Sequence, residues 1–261
     1  MPTHPFYQGF LSEAIDGVKV EVRERYRDWY SLLLRVNEYC VDAQHSAEVD
    51  PSDSRSLLAA AHFARLLASV QSAVILLERG LLSQAKSVLR MALESLFALA
   101  AIHIKPELAV TLAMSQQADK RTIADRILRW SDPELRAAVA ARTDEVELRT
   151  LLASKARELK TFELAKAADM QDWYLSLYSI LSFPTHGAVS DLIAHLVIDE
   201  SGQVIALKNE AEVDKQIAAW AYAVEIEIRA AESFSAIFGL NSESIATYST
   251  ELRVPSSIPE A

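Results

Sequence analysis

Apolar residues recur along most of the chain at intervals of three and four, which is the period of an amphipathic α-helix. The pattern predicts helices at about 6–45, 55–79, 82–104 and 107–130, and a further helix that begins at 131. It also predicts helices at about 144–168 and 170–184, another that follows and ends at about 195, and a last one at 211–238. Gly80 and Gly239 follow two of these segments directly, in the position where glycine closes a helix. The sequence therefore predicts a protein that is helical almost throughout.

One short stretch departs from the helical period. The segment HLVIDESGQVIAL contains two apolar runs around a Ser-Gly turn, which predicts a small β-hairpin at about 196–207. The expected fold class is therefore all-α, a multi-helix bundle with this one hairpin. We expect a long N-terminal helix in residues 1–50, packed on or extending from the core. Residues 51–240 would form the helical core domain, and residues 241–261 a C-terminal tail, loose or packed as a strap.

Composition and charge indicate the cellular compartment and the kinds of partner that the protein would have. The single cysteine, Cys40, lies among apolar residues, so we interpret it as a buried structural thiol in a protein of a reducing compartment. The N-terminus does not resemble a secretory signal, and the sequence has no run of 18 apolar residues. The formal net charge is -10, and this acidity disfavours binding of nucleic acid at long range. These features predict a cytoplasmic protein that does not enter a membrane.

Two charged residues interrupt the helix that is expected to be the most buried. Arg90 and Glu94 lie in the run SVLRMALESLFALAAIHI, whose apolar residues surround the helix on almost every side. Because they are four residues apart, they share one stripe of the helix and should enter the interior together. An unpaired buried charge would cost several kcal/mol. We therefore expect either a structural ion-pair network or a binding site around them.

A second polar motif follows in the segment YSILSFPTHG. Here Ser182 is predicted to cap a helix, which would place His186 just inside the helix N-terminus. Backbone N–H groups at that position could bind an anion, and the helix dipole would favour a neutral His186. Arg90 and Glu94 together need more hydrogen-bond partners than one helix offers. We therefore expect Tyr178, Ser182 or His186 within hydrogen-bonding reach of them.

These two motifs in this order resemble an uncharacterised bacterial family of helical proteins. The shared patterns are G-L-x3-A with R-x3-E in one helix and Y-x3-S-x3-H in another, here Gly80, Leu81, Ala85, Arg90, Glu94, Tyr178, Ser182 and His186. The resemblance covers roughly residues 55–240 and implies an all-α fold and a shared polar site, with no assigned reaction. The chain is also distantly similar to the HEPN group of helical ribonucleases and binding domains, which use R-x4-6-H on one helix. Arg55 and His62 fit that spacing, but about one such match is expected by chance.

Two functions fit these residues. In the first, the protein is an interaction or regulatory module, and Arg90, Glu94 and His186 form a buried network that fixes the helix register. Its apolar first and last helices would suit a homodimer. In the second, Arg90 and His186 bind an anion such as the phosphate of a nucleotide or RNA, with Tyr178 or Ser182 adding hydrogen bonds.

As a HEPN-like ribonuclease, the protein would use His186 as acid or base, with Glu94 orienting Arg90. Common catalytic motifs such as G-x-S-x-G and G-x4-G-K-[ST] are absent from the sequence. No metal site is predicted, because Glu94 and His186 supply only two ligands. The sequence indicates no cofactor either.

Overall fold

The structure is a computed structural model that describes residues 9–129, 131–140, 159–185, 187, 189–193, 195–208 and 210–253. A short 3-10 turn comes first, at Gly9–Leu11. The long helices of the first half are α1 (Ile15–Arg25), α2 (Arg27–Ser46), α3 (Ser54–Leu77), α4 (Leu82–Ile104) and α5 (Leu108–Leu128).

The second half begins with shorter elements. They are α6 (Pro133–Ala140), α7 (Thr161–Ala167), α8 (Gln171–Trp173), a π-helical turn (Tyr174–Tyr178), α9 (Ser179–Ser182) and α10 (Val189–Ile193). A hairpin of β1 (Leu196–Ile198) and β2 (Val204–Leu207) precedes α11 (Ile217–Phe238) and α12 (Glu243–Arg253). The predicted all-α fold with one small hairpin at 196–207 is therefore confirmed.

Helix α4 lies at the centre of the bundle and packs against both α3 and α11. Its large side chains Leu89, Leu93 and Phe97 are fully buried. Next to it, Phe63 of α3 stacks on Phe234 of α11 with ring centroids 3.9 Å apart. Burial of each such side chain stabilises the fold by about 1.5–3 kcal/mol. The apolar face that the sequence assigns to α4 is thus the main contact surface of the protein.

Gly80 closes α3, as the sequence predicts. Its φ of 71° lies in the left-handed region, and its N–H donates to the Leu77 carbonyl at 2.9 Å. The chain then passes so close to Ala211 that a Cβ at position 80 would lie 2.5 Å from the Ala211 Cβ. The Glu212 N–H also donates to the Gly80 carbonyl at 3.0 Å. Glycine is therefore required here by both the backbone conformation and the contact.

A buried polar network moves two predicted helix boundaries. The Tyr26 hydroxyl donates to the Val213 carbonyl at 2.7 Å and accepts from the Gln216 N–H at 3.1 Å. The Gln216 side chain in turn donates to the Leu77 carbonyl at 2.9 Å. The predicted single N-terminal helix is consequently wrong, because α1 and α2 break at Tyr26. The last long helix begins at Ile217 rather than near residue 211, since the preceding residues make these contacts instead.

Two further predictions concern the ends of elements. The expected helix at 144–168 lies mostly outside the described residues, and at its described end Leu159 and Lys160 are not helical. The tail was expected to be loose or packed as a strap; its residues Glu243–Arg253 form α12, which packs on α2 and α11, so the loose alternative is wrong there. There the Ser249 hydroxyl donates to Glu232 of α11 at 2.9 Å.

Helices α3 and α4 are each long and apolar enough, by length and composition, to cross a membrane. In the structure they pack against each other, and more than half of the most apolar stretch of α4 is buried inside the bundle. Core helices of soluble proteins pass the same test, because a helix that is apolar all round is suited to either setting. The cytoplasmic location stays a prediction.

Candidate functional site

Three of the predicted site residues meet between α4 and the π-helical turn. The Arg90 guanidinium donates from Nη2 to the Tyr178 hydroxyl at 2.8 Å, and that hydroxyl donates to Glu94 Oε1 at 3.0 Å. Arg90 Nη2 also lies 3.3 Å from Glu94 Oε1, which closes a triangle of contacts. We call Arg90, Glu94 and Tyr178 the polar cluster. The prediction that Tyr178 lies within reach of the ion pair is confirmed, whereas its role as a binding residue stays a prediction.

The Tyr178 hydroxyl holds its proton in this environment. Burial raises the pKa of Tyr178, the hydrogen bond from Arg90 opposes that rise, and the Glu94 carboxylate adds to it. A protonated phenol has one hydrogen to donate and lone pairs to accept, which matches the one donated and one accepted bond seen here. Tyr178 therefore links a cation and an anion without carrying charge itself.

Aromatic rings extend the polar cluster along the π-helical turn. Tyr174 and Tyr178 stack with centroids 4.8 Å apart, and Phe162 of α7 meets Tyr174 at 5.2 Å. The Arg90 guanidinium lies 5.0 Å from the Tyr178 ring centroid, within the range of a cation–π contact. Sequence analysis missed Phe162 and Tyr174. The i, i+4 spacing of Tyr174 and Tyr178 was a usable signal, because such residues are neighbours on one helical face.

The polar cluster lies at the edge of the bundle rather than in its interior. The side chains of Arg90 and Glu94 are 19% and 28% exposed, so the expectation that they enter the core is wrong. Met91 beside them is exposed, so this part of α4 is not covered on every side. Arg90 Nε is buried and has no hydrogen-bond partner among the described residues.

The predicted cap at Ser182 is wrong. Ser182 is the last residue of α9, and its hydroxyl donates to the Tyr178 carbonyl at 2.6 Å instead of accepting from a following N–H. Phe183, Pro184 and Thr185 form a turn rather than the first turn of a helix. The predicted catalytic residue His186 lies outside the described residues, so the structure does not describe its position.

A second contact fixes the same region to α4. The Ser83 hydroxyl, near the start of α4, donates to Asp191 of α10 at 2.6 Å. Two polar anchors, one at Ser83 and one at the polar cluster, therefore attach residues 171–207 to the central helix. We call the described residues of 171–207 the lateral segment. Neither Ser83 nor Asp191 was singled out from the sequence, because a single serine or aspartate within a helical segment carries no distinctive signal.

A cavity of about 230 Å³ opens beside the start of α4, about two turns from Arg90. Its polar lining includes Ser83, His195, Lys208 and Glu212. Lys208 lies 3.5 Å from Glu212, so its charge is balanced within the chain. None of the three residues of the polar cluster lines this cavity. This cavity is thus separate from the predicted site.

A buried carboxyl group lies far from these contacts, on α11. Glu227 is almost fully buried, and neither carboxyl oxygen has a hydrogen-bond partner in the described structure. Burial raises its pKa to about 8, so the group is neutral at pH 7. Burial also raises the pKa of the neighbouring Cys40 thiol well above its usual range, and the charge of Glu227 adds to this. The interpretation of Cys40 as a buried thiol is confirmed.

Residues 57–204 match a family of unknown function, DUF5677. The chain belongs to this family. This match confirms the resemblance to an uncharacterised family. The matched region contains α4 and the π-helical turn, and that the family shares the polar cluster stays a prediction. Helix α11 lies outside the DUF5677 match, although it supplies a large part of the core. No curated protein and no solved structure matches the chain. The similarity to HEPN proteins stays a prediction.

Proposed function

We propose that this DUF5677 protein is an interaction module that binds a protein partner through the apolar surface of the lateral segment. The observation that supports this proposal is the uneven distribution of exposed apolar side chains along the chain. Of the 22 large apolar side chains exposed in the described part of the chain, eleven lie in the lateral segment: Leu175, Ile180, Phe183, Val189, Leu192, Ile193, Val197, Ile198, Val204, Ile205 and Leu207. Exposed apolar surface concentrated in one region is typical of a binding surface.

The free energy of hydration supports this proposal. Each square ångström of apolar surface removed from water stabilises a complex by about 25 cal/mol. The lateral segment keeps this surface exposed, whereas the same residue types in α4 and α11 are buried. A partner that covered the lateral segment would therefore gain most of its affinity from side chains that contribute little to the folded monomer.

The polar cluster supports the proposal by holding this surface in place. Tyr178 and Asp191 of the lateral segment bond to Arg90 and Ser83 of α4, which are seven residues apart and so about 10 Å apart along the helix. Two anchors at this separation fix both the position and the direction of the segment. A surface that is ordered before binding loses less conformational entropy when the partner docks.

The same geometry makes anion binding by Arg90 the weaker interpretation. The positive charge of Arg90 is balanced by Glu94 at 3.3 Å, and its Nη2 is bonded to Tyr178. A phosphate would have to compete with a carboxylate that is attached to the same helix, four residues away. These contacts favour a structural role for the polar cluster, as in the network interpretation of the sequence.

A cytoplasmic location is part of this proposal. The one cysteine is a free, buried thiol, which fits a reducing compartment. The two helices with membrane-like composition pack against each other, with 61% of the most apolar stretch of α4 and 39% of that of α3 buried. Expression of the chain fused to a fluorescent protein in bacterial cells would test this, since diffuse fluorescence is expected and a membrane ring would contradict it.

Site-specific photo-cross-linking tests the binding surface. A benzophenone amino acid replaces Ile205 in one variant and Ile75 of α3 in a matched control, because the two side chains are 63% and 55% exposed. In an extract of the source cells, we expect a discrete cross-linked product from position 205 and none from position 75. The captured protein is identified by mass spectrometry, purified, and titrated into the unmodified chain by calorimetry.

Binding should then be lost in Ile205→Lys and retained in Ile75→Lys. Identical cross-linking patterns from the two positions, or equal binding by the two lysine variants, would contradict the proposal. Circular dichroism of both variants checks that each is folded.

A further inference from the structure

We infer that the partner is a second copy of this chain, and that two copies join by antiparallel pairing of their β2 edges across a twofold axis. This inference rests on the proposed function and names the partner of the same surface. It follows from the hydrogen-bonding capacity of the hairpin, the composition of β2 and the amount of apolar surface around it.

The hairpin is a two-stranded sheet among the described residues, so each strand has one edge without a strand partner. Within the hairpin, Leu196 pairs with Leu207 and Ile198 pairs with Val204, with an irregularity that leaves Ile205 as the extra residue. All four residues of β2 are exposed, whereas β1 is partly covered. A hairpin of this size is only marginally stable in water unless something packs on it. Of the two unpaired edges, that of β2 is the more exposed.

The composition of β2 lacks the features that usually keep an edge strand from pairing. Such strands commonly carry a lysine, another charge or a proline that blocks a second strand. Residues Val204–Leu207 read VIAL and contain none of these. Lys208 follows directly, but its ammonium group faces Glu212 of its own chain at 3.5 Å. Apart from the irregularity at Ile205, no charge or proline in β2 opposes the approach of another strand.

A second copy of the chain could bond to the unpaired backbone groups of the β2 edge and form a closed dimer. When a strand pairs antiparallel with the identical strand, the two copies are related by a twofold axis, so the assembly ends at a dimer. The two hairpins would form one four-stranded sheet, in which Ile205 of each copy lies close to the axis. Three or more strands with an apolar face are stable where two are not.

The apolar surface available also matches that of a stable dimer. Eight of the exposed side chains of the lateral segment lie in α10 and the hairpin, from Val189 to Leu207. At roughly 100 Å² each they expose on the order of 800 Å², which is about what one partner buries in a standard interface. Backbone pairing at β2 and side-chain burial around it would therefore form an interface of ordinary size.

Sedimentation equilibrium of the purified full chain tests the inference. We expect the unmodified protein to be a dimer at 10–100 µM, Ile205→Lys to be a monomer over about the same range, and Ile75→Lys to remain a dimer. Because position 205 is exposed, the lysine should leave the helical circular dichroism signal unchanged, and its melting temperature should match that of the unmodified protein at concentrations where the latter is monomeric. A disulfide readout sharpens the geometry: Ile205→Cys in a Cys40→Ser background should form a covalent dimer under mild oxidation, and Ile75→Cys should not.

Each other outcome overturns the inference. A monomeric unmodified protein, a dimer that Ile205→Lys does not weaken, or assemblies of indefinite size would exclude a closed β2-paired dimer. Co-flotation with phosphatidylglycerol vesicles that Ile205→Lys abolishes would show that a lipid surface, not a second copy, covers the lateral segment. If the protein is monomeric but cross-linking from position 205 captures a different protein, the proposed function stands and only the identity of the partner is wrong.

Discussion

Leu89 and Leu207 have the same side chain, but the first is fully buried and the second is 80% exposed. The difference reflects the two regions in which they lie. In the central bundle, α4 receives α3 and α11 as packing partners, so its apolar residues lose contact with water. In the lateral segment, the hairpin and α10 are held to α4 by polar anchors and leave their apolar residues in solvent. The central bundle uses apolar surface for stability, and the lateral segment keeps it exposed to solvent.

The two regions also differ in whether their carboxyl groups have partners. Glu227 is buried in the central bundle without a partner, whereas Glu94 at the lateral segment is paired with both Arg90 and Tyr178. Burial without a partner raises the pKa of Glu227 to about 8, so this carboxyl is neutral at pH 7. The central bundle therefore contains one destabilising carboxyl group, whereas Glu94 Oε1 has hydrogen-bond and ion-pair partners where the lateral segment attaches.

The largest difference between the regions should appear when each receives one extra methyl group. Gly80→Ala should lower the free energy of unfolding by about 4 kcal/mol, because a Cβ there meets Ala211 and the backbone of Glu212 at positive φ. Gly202→Ala, in the hairpin turn, also has positive φ but open space around it, so it should cost only about 1 kcal/mol. Urea unfolding of both variants measures this. Equal losses would show that the contact at Gly80 is not tight.

A second prediction uses the unpartnered carboxyl of the bundle. Burial raises the pKa of Glu227 to about 8 from an ordinary value of 4.5, so between these pH values the folded state holds a proton that the unfolded state has lost. The stability that this proton confers is present at low pH and is lost as the pH rises towards 8, by about 1.4 kcal/mol per pH unit. Glu227→Met removes the dependence.

The stability of Glu227→Met relative to the unmodified protein should therefore increase by about 3 kcal/mol between pH 5.5 and 7.5. Comparison at each pH cancels the contribution of His62, whose pKa burial lowers to about 4. Guanidinium unfolding across this range is the measurement. Parallel stability curves for the two proteins would mean that Glu227 ionises normally and is not sealed in the bundle.

The polar cluster should give a smaller and more local effect. Tyr178→Phe removes one donated and one accepted hydrogen bond but keeps the ring stacked on Tyr174, so the loss should be about 1–2 kcal/mol. Hydrogen exchange should accelerate in the lateral segment and stay unchanged in α3. Tyr222→Phe on α11 is the control, since no side-chain hydrogen bond of Tyr222 is seen in the described structure, and it should change neither quantity. Faster exchange in both regions would contradict a local anchoring role.

The smallest effect is expected on the exposed apolar surface. Leu207→Ala should change the free energy of unfolding of the monomer by less than about 0.5 kcal/mol, because the side chain is already in water. Leu89→Ala in the bundle should cost about 2–5 kcal/mol. Unfolding is measured at protein concentrations low enough to exclude association. A large loss at Leu207 would place it in the core and remove the contrast between the two regions.

The sequence by itself determined the elements whose cause is local. The period of apolar residues places α4 at Leu82–Ile104 with its observed bounds, because helix formation depends on neighbours three and four residues away. Gly80 and Gly239 end their helices with positive φ, since that conformation is a property of glycine itself. The hairpin at 196–207 follows from two apolar runs around Ser-Gly. Unmet hydrogen-bond capacity and the order of the two motifs predicted that Tyr178, Ser182 or His186 would reach the ion pair, and Tyr178 does.

Tertiary structure alone decided how deeply each face is buried and which ends of elements shift. Periodicity shows that Arg90, Glu94 and Met91 lie on a helix, but their exposure depends on how far the lateral segment covers that helix. The break at Tyr26 depends on partners that lie about 190 residues later in the chain. Ser182 bonds backwards rather than forwards because no helix begins there. In each case the free energy that decides the outcome comes from contacts between residues distant in sequence, and a local sequence pattern does not predict such contacts.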